Sequence, residues 1–351
     1  MNSQERMDAL LAYRKPDRVP IGNQFMSLGF NMINVGESIT DGYDDPEKCF
    51  SAFLKTTEEY GWDQILQSYR HTILGSADFG GRVRLPRGPY EGAVVIESYP
   101  VQTPEDIETL AMPDPRLAGD IPKALRFAEL QHAHGLPAAF FSRSPFCMAS
   151  NMCGSETFLR WSIKMPQRCE RLMQMALDHT FNVLAVWIEQ FGAENLFVWL
   201  SSPGESNQLI SPRLFERLAL PWHIEYHKRL KSIGIQRFGV HICGDQNQNL
   251  PSLAKATPWP HPSVLSIGSE IDIESAATFF PQDIIYGNVD PVALQCATEQ
   301  EVYNLTRTAV EKGKKAPGGF ILGPGCELPP LARPENMHAM TRAVNDFGWY
   351  S

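Results

Sequence analysis

The chain has 351 residues, a formal net charge of −9 and 43% hydrophobic residues. Its 19 Phe, seven Trp and ten Tyr residues exclude a disordered chain, because that much aromatic surface supports a packed core. The acidic balance argues against a nucleic-acid surface, which needs clustered Lys and Arg. No apolar run is long enough to cross a membrane, and charges near the N-terminus argue against a signal peptide. We therefore expect a cytoplasmic protein without membrane or nucleic-acid partners, and a homodimer is compatible with the sequence.

The seven cysteines are odd in number, and a reducing compartment disfavours a disulfide framework. In such a compartment a cysteine is a buried small residue, a ligand or a nucleophile. We expect most of the seven to be buried and chemically inert, so the question is which of them are not.

The first 120 residues or so form an N-terminal extension without a regular pattern. A helix is predicted over residues 3–13 with Ser3 as its N-cap, followed by a strand-like segment at 18–25. A second helix is predicted at 46–61 and a short strand at 63–67. The stretch 76–103 is rich in Gly, Pro and Arg, which predicts an irregular or hairpin-like insertion.

From about residue 120 to residue 351, short apolar runs alternate with helical segments. Strands are predicted at 137–142, 196–201, 237–243, 264–268, 284–288 and 320–322. Helices are predicted at 155–165, 167–191, 211–233, 298–313 and 334–346. Nearly continuous apolar strands are typical of a parallel sheet covered on both faces. The pattern predicts an α/β fold in which residues 1–351 form a single (β/α)₈ TIM-barrel domain, with a doubly wound sheet as the alternative.

The segment RFGVHICGDQNQ at 237–248 is the most informative for chemistry. His241 and Cys243 are two residues apart on a predicted strand, so their side chains share one face. They lie at the C-terminal end of that strand, where barrel enzymes place their active sites. An imidazole and a thiolate there could form half of a zinc site, and the alternative is a buried His beside a buried Cys.

A second strand runs into a Gly-Pro-Gly turn in the segment GFILGPGCE at 319–327. The turn can direct Cys326 toward the barrel axis, where it can converge with His241 and Cys243. Three protein ligands and an open fourth position are typical of catalytic zinc. A cysteine in a structural turn is the alternative.

Four segments carry a family resemblance: LLAYRKPDRVPIG at 10–22, HICGD at 241–245, GNVDP at 287–291, and the stretch from GPGCELPP to RPENMHAM at 323–340. Together they resemble the uroporphyrinogen decarboxylase superfamily, and within it the zinc-dependent, corrinoid-linked methyltransferases of the MtaA/CmuA type. The resemblance implies a TIM barrel, Zn²⁺ held by His241, Cys243 and Cys326, and methyl transfer involving a corrinoid carried by a partner protein. Residues 23–28 contain no Arg, where a porphyrinogen decarboxylase would carry an Arg-rich segment that grips carboxylates.

Further site residues follow from their places at predicted strand ends. Glu205 is the first candidate for a fourth ligand or proton donor, and Asp245 could hold a ligand in position. An apolar or aromatic substrate pocket is predicted, lined by Phe25, Met26, Tyr69, Phe146, Met148 and Trp199. Arg70 and Arg143 are the only cations near these strand ends, and Arg143 is interpreted as a loop anchor.

These residues leave the reaction open between alternatives. The apolar pocket favours demethylation of a small methyl ether, such as an aromatic one, with transfer of the methyl group to a Co(I) corrinoid protein. Two thiolates on zinc favour the other direction, in which a methyl-corrinoid protein methylates a zinc-activated thiol such as coenzyme M. A metal-independent decarboxylase acting on a tetrapyrrole is the third interpretation.

Overall fold

The structure, a computed structural model, describes residues 1–23, 27–63, 68–69, 74–91 and 93–350. Its N-terminal part combines short helices with a two-stranded antiparallel hairpin, which confirms the predicted hairpin-like insertion. In chain order these elements are α1 (Ser3–Leu11), α2 (Leu28–Asn34), α3 (Ile39–Asp44), α4 (Pro46–Glu59), β1 (Arg82–Arg84), β2 (Val95–Ser98), α5 (Asp106–Thr109) and α6 (Ile121–Ala133).

The N-cap of α1 is Asn2, so the prediction of Ser3 was wrong by one residue. The Asn2 side chain accepts a hydrogen bond from the Glu5 backbone N–H at 2.9 Å, and the Glu5 carboxylate accepts one from the Asn2 backbone N–H at 2.7 Å. This reciprocal capping box satisfies two backbone donors that the first turn would otherwise leave unpaired.

The second part of the chain alternates strands and helices. Its strands are β3 (Ala138–Arg143), β4 (Leu196–Ser201), β5 (Phe238–Ile242), β6 (Val264–Ile267), β7 (Ile284–Val289) and β8 (Phe320–Pro324). Its helices are α7 (Pro145–Cys153), α8 (Ser155–Lys164), α9 (Pro166–Phe191), α10 (Pro212–Leu218), α11 (Leu220–Ile233), α12 (Leu250–Ala256), α13 (Ile273–Phe279), α14 (Pro291–Cys296), α15 (Glu299–Gly313) and α16 (Pro334–Phe347). The structure has two helices, α10 and α11, where the sequence predicts a single helix at 211–233. The break occurs because Pro221 has no backbone N–H to continue the helical hydrogen bonds.

The six strands from β3 to β8 are parallel and lie side by side in chain order. A doubly wound sheet would reverse its strand order at a switch point, so that alternative is excluded. The sheet continues past β8 to Pro20 and Gly22, which exchange backbone hydrogen bonds with Leu322. This sequential parallel arrangement confirms the predicted TIM-barrel class. Residues 64–67 of the predicted short strand lie outside the described residues, and the single domain over 1–351 stays a prediction.

Aromatic side chains fill the interior of the barrel toward the N-terminal ends of the strands. Trp199 from β4 is 1% exposed and packs in one cluster with Phe141, Tyr286 and Ile321 from other strands. Leu10 of α1 belongs to the same cluster, so the first helix closes that end of the barrel. No helix in the described part of the chain combines the length and the apolar character that crossing a membrane requires.

Gly239 on β5 leaves the space that the Trp199 indole occupies, since an added Cβ atom would lie 2.4 Å from the ring. We expect Gly239→Ala to lower the free energy of unfolding by about 1–3 kcal/mol, because a packed interior cannot absorb the extra methyl group. Gly88→Ala is the control, because no atom lies within 4 Å of its added Cβ. Chemical denaturation measures both variants, and equal stabilities would contradict this packing.

Candidate metal centre

The fifth strand carries His241 near its C-terminal end, and Cys243 follows directly after the strand. His241 is 1% exposed, whereas Cys243 is only partly buried. The two side chains share the inner face of the sheet because they are two residues apart. The Cys243 thiol therefore lies closer than the His241 imidazole to the C-terminal end of the barrel.

Cys326 reaches the same place from the end of β8. The chain bends there through Gly325, whose backbone N–H donates to the Val289 carbonyl at 2.8 Å. A Cβ atom on Gly325 would lie 2.7 Å from the Ser269 backbone nitrogen, so only glycine permits this close approach. The Gly-Pro-Gly turn therefore brings Cys326 against the loop after β6.

One ligand atom from each of His241, Cys243 and Cys326 lies within 4.8 Å of the other two. The Sγ atoms of Cys243 and Cys326 are 3.3 Å apart, which is too long for a disulfide bond of about 2.05 Å. The set of one nitrogen and two sulfur donors suits zinc in a catalytic site, where three protein ligands leave a fourth position open. Throughout the described ranges, no other group of three His, Cys, Asp or Glu residues is arranged to hold a metal ion.

The two thiols have opposite pKa shifts in the absence of metal. The hydrogen bond between them raises the pKa of Cys326 to about 12, with burial acting in the same direction. The same hydrogen bond lowers the pKa of Cys243, against the effect of burial and the negative charge of Glu270. Cys243 is therefore the first of the two thiols to lose its proton.

The His241 imidazole is held from the side by Ser266 of β6. Its Nδ1 atom lies 3.0 Å from the Ser266 Oγ atom, and the two residues are opposite each other in the strand register. A histidine that binds a metal through one ring nitrogen commonly donates the other N–H to a polar partner, which fixes the orientation of the ring. Ser266 can have this function here.

Two charged side chains lie next to the sulfur atoms. Arg143, at the end of β3, is 7% exposed, and burial lowers the pKa of its guanidinium. Its positive charge interacts with Cys147, Cys243, Cys326 and Glu327. Burial raises the pKa of Glu327 to about 8, and the negative charge of Cys326 acts in the same direction.

Glu205 lies in a buried polar network instead of among the three candidate ligands. It is 0% exposed, and its carboxylate accepts a hydrogen bond from the Ser144 hydroxyl and contacts His223 Nε2 at 2.6 Å. Its backbone carbonyl accepts from the Asn249 side chain at 2.9 Å. The network joins the loops after β3, β4 and β5 to α11. The catalytic role of Glu205 stays a prediction.

Asp245 follows the H-x-C segment, but its carboxylate turns back to its own loop. It accepts hydrogen bonds from the backbone and side chain of Asn247 at 3.1 and 2.8 Å. The Asp245 carbonyl accepts from the Asn207 backbone N–H at 2.6 Å. These contacts fix the loop between β5 and α12, and a role for Asp245 in holding a metal ligand stays a prediction.

The residues predicted to line a substrate pocket are dispersed. Trp199 lies in the barrel interior, Phe146 and Met148 pack in the layer outside the sheet, and Tyr69 packs in the N-terminal cluster. The Tyr69 hydroxyl donates to the Tyr43 carbonyl at 2.8 Å. Phe25, Met26 and Arg70 lie outside the described residues. The structure therefore does not bring Trp199, Phe146, Met148 and Tyr69 together, and their binding role stays a prediction.

Sequence reasoning missed Ser266 and favoured the role of a loop anchor for Arg143. Both are polar residues near the end of an apolar strand, at positions facing the barrel interior. A polar residue in the inward phase of such a strand is the signal that could have identified them. Recognising it requires the strand register, which pairs Arg143 with Ser201 and His241 with Ser266.

Comparison with known families places this site in context. The model of the uroporphyrinogen decarboxylase (URO-D) family matches residues 2–347. The chain belongs to this family. The resemblance of its motifs to the URO-D superfamily is thereby confirmed.

Relatives of this URO-D family member include enzymes of two kinds. The methylcobamide:CoM methyltransferase MtaA of Methanosarcina barkeri is 21% identical over 350 residues, covering 97% of each chain. A uroporphyrinogen decarboxylase of Ovis aries is 26% identical over 261 residues, covering 70% of this chain and 68% of that protein. A solved methyltransferase structure from Methanosarcina mazei superposes with a TM-score of 0.80 at 21% identity, over 99% of each chain. The superposition supports the fold.

The proposed ligands give a direct test by metal analysis. We expect about one equivalent of zinc in protein purified without chelators, and Cys243→Ala or Cys326→Ala should lower the zinc content at least about tenfold because each removes a thiolate ligand. Cys296→Ala is the control, because that cysteine is exposed and lies outside the cluster. Full zinc content in both ligand variants would contradict the assignment.

A second test separates a structural from a catalytic Glu205. Because Glu205→Ala leaves His223 and Ser144 without their buried partner, we expect a loss of about 3–5 kcal/mol in the free energy of unfolding. Glu205→Gln keeps the shape and part of the hydrogen bonding, so its loss should be smaller. Denaturation and zinc content are measured together. Normal stability with abolished turnover would favour the catalytic role instead.

Proposed function

We propose that this chain is a zinc-dependent methyltransferase that moves a methyl group from a methylated corrinoid, carried by a partner protein, to a thiol. The observation that carries the proposal is the convergence of His241, Cys243 and Cys326 within 4.8 Å at the open end of the barrel. These three residues would hold the metal, and Ser266 would keep the His241 ring in its ligating orientation.

The chemistry of the donor set favours a thiol acceptor. Two thiolates and a neutral imidazole cancel the charge of a divalent zinc ion, which makes such a site a weak Lewis acid toward an ether oxygen. Bound zinc would lower the pKa of a thiol and hold it as a thiolate. Arg143 adds a buried positive charge beside the sulfur atoms, which also favours an anionic sulfur over a neutral thiol.

The overall reaction balances without a further reactant. The thiolate sulfur attacks the methyl carbon, the carbon–sulfur bond forms, and the cobalt–carbon bond breaks with its electron pair remaining on cobalt. Cobalt is thereby reduced from Co(III) to Co(I), and the thiol proton passes to solvent. The products are a methyl thioether and a Co(I) corrinoid.

The relatives support this direction of transfer. The protein named methylcobamide:CoM methyltransferase MtaA matches this chain over nearly its full length. A protein named methylated-thiol–coenzyme M methyltransferase is 26% identical over 223 residues. Both names describe transfer to the thiol coenzyme M, so the comparisons favour the thiol alternative over the methyl-ether reading.

Demethylation of a methyl ether, the interpretation favoured from the sequence, has no support from the comparisons. It rests on an apolar or aromatic pocket, and four of its predicted wall residues are dispersed among separate parts of the core. Tetrapyrrole decarboxylation is named for several relatives, such as the Ovis aries enzyme. That reaction needs cations around the substrate carboxylates, and residues 23–28 supply no Arg.

Turnover with small-molecule probes distinguishes these reactions. We expect zinc-loaded protein to demethylate methylcobalamin with 2-mercaptoethanesulfonate as acceptor, and removal of zinc by dipicolinate should slow the reaction at least about tenfold because the thiol is no longer activated. The loss of the methylcobalamin absorbance and the thioether formed are measured together, and added zinc should restore the rate. Turnover of methoxyarenes with Co(I) cobalamin, or decarboxylation of uroporphyrinogen, in the absence of thiol methylation would overturn the proposal.

A further inference from the structure

Cys243 lies just beyond the strand ladder that holds its neighbour His241. On the side of β6 the ladder reaches Ile242, whose carbonyl accepts a hydrogen bond from the Gly268 backbone N–H at 2.9 Å. Directly after Cys243 the chain turns at Gly244, which has a φ of +72°, a backbone conformation that favours glycine. The orientation of the Cys243 thiol therefore depends on what holds the loop that follows β5.

The side chain of Gln246 joins this loop to the end of β4. Its Nε2 atom donates to the Ser202 carbonyl at 3.1 Å and to the Cys243 carbonyl at 3.4 Å. The Ser202 backbone N–H in turn donates to the His241 carbonyl at 3.2 Å, so Ser202 is linked to the backbone of both candidate ligands. Gln246 is 0% exposed, so water cannot replace its side chain as the donor to these carbonyls.

Asn249 holds Gln246 in place. Its Nδ2 atom donates to Gln246 Oε1 at 3.3 Å and to the Glu205 carbonyl at 2.9 Å, and its Oδ1 atom accepts from the Asn207 side-chain amide at 2.9 Å. Because a backbone carbonyl can only accept, the NH₂ group of each amide must face the carbonyls. Gln246 and Asn249, here called the amide pair, therefore have one orientation each.

We propose that Gln246, held by Asn249, is a positioning residue that keeps Cys243 in its metal-ligating orientation and acts through the Cys243 backbone. The inference rests on the proposed function, because it takes the three candidate ligands as a zinc site. A ligand that is already oriented loses less conformational freedom when the metal binds, so the affinity rises without a further metal contact. If the amide pair only satisfied buried loop carbonyls, its loss would change stability and leave the affinity for zinc unchanged.

The affinity of the folded, metal-free protein for zinc separates these two roles. Competition with a chromophoric chelator gives the Kd for zinc, and thermal unfolding without metal gives the Tm. We expect Gln246→Met, which keeps the length of the side chain and removes the NH₂ donor, to raise the Kd about 10- to 100-fold, the usual effect of losing a group that orients a metal ligand. A lower Tm with an unchanged Kd would overturn the proposal.

Two further variants of the same loop sharpen the measurement. Gln248→Met is the matched control, because Gln248 is exposed and should keep the wild-type Kd. Gln246→Glu keeps the shape of the side chain, and as a buried neutral acid it retains one donor, so its Kd should lie between those of the wild type and Gln246→Met. A Kd below the wild-type value would show that charge and not orientation decides the affinity, and would contradict the positioning role.

A double variant tests whether Asn249 acts through Gln246. Asn249→Leu should raise the Kd for zinc by about 3- to 10-fold, and the double variant with Gln246→Met should bind zinc no more weakly than Gln246→Met alone, because both changes break the same chain of hydrogen bonds. Independent effects that multiply in the double variant would overturn this order of action. Should Gln246→Met fail to fold, Gln246→Glu compared with Gln248→Met decides the question.

The outcomes distinguish the positioning role from the proposed function. Zinc binding that neither Gln246→Met nor Gln246→Glu weakens would overturn the positioning role alone. Zinc binding that Gln246→Met weakens, with no thiol methylation by the zinc-loaded wild type, would support the positioning role and count against the proposed function. A wild-type protein that binds no zinc would overturn both.

Discussion

The pairing register of the parallel strands is the constraint on which the metal centre depends. The register sets His241 of β5 level with Ser266 of β6, and the two-residue period of a strand then puts Cys243 one level closer to the barrel mouth. A slip of one residue in β5 would turn both ligands toward the surrounding helices. The same slip would carry Val240 and Ile242 of β5 out of the large apolar cluster in which they pack.

The sequence was most informative where local pattern alone decides the structure. The apolar run at 196–201 predicts β4 with its observed bounds, since a fully buried parallel strand is apolar at every position. The H-x-C spacing places two ligands on one face because successive side chains of a strand alternate between its two faces. Bringing in Cys326 required one long-range assumption, namely that the C-terminal ends of barrel strands meet at one rim, and the structure agrees with it.

Prediction was weaker where helix phase and distant partners decide the outcome. Phe146 and Met148 follow β3 directly, but they lie on α7, whose rotation turns both into the layer outside the sheet. Glu205 has the composition of a catalytic loop residue, and its burial depends on Ser144, 61 positions earlier, and on His223, 18 positions later. No local pattern indicates such contacts, because Ser144 belongs to the preceding βα unit and His223 lies on α11, beyond helix α10.

Two layers with opposite chemistry divide the barrel interior. Phe141 and Trp199 belong to one buried apolar cluster, which fills the level below His241 on the side of the strand N-termini. In such surroundings a cation or an unpaired hydroxyl is unfavourable by itself, and electrostatic attraction to a bound anion is stronger than it would be in water. Arg143 is buried beside this layer and its positive charge interacts with the sulfur atoms of Cys243 and Cys326, so the apolar surroundings strengthen its attraction to the thiolates that would hold the metal.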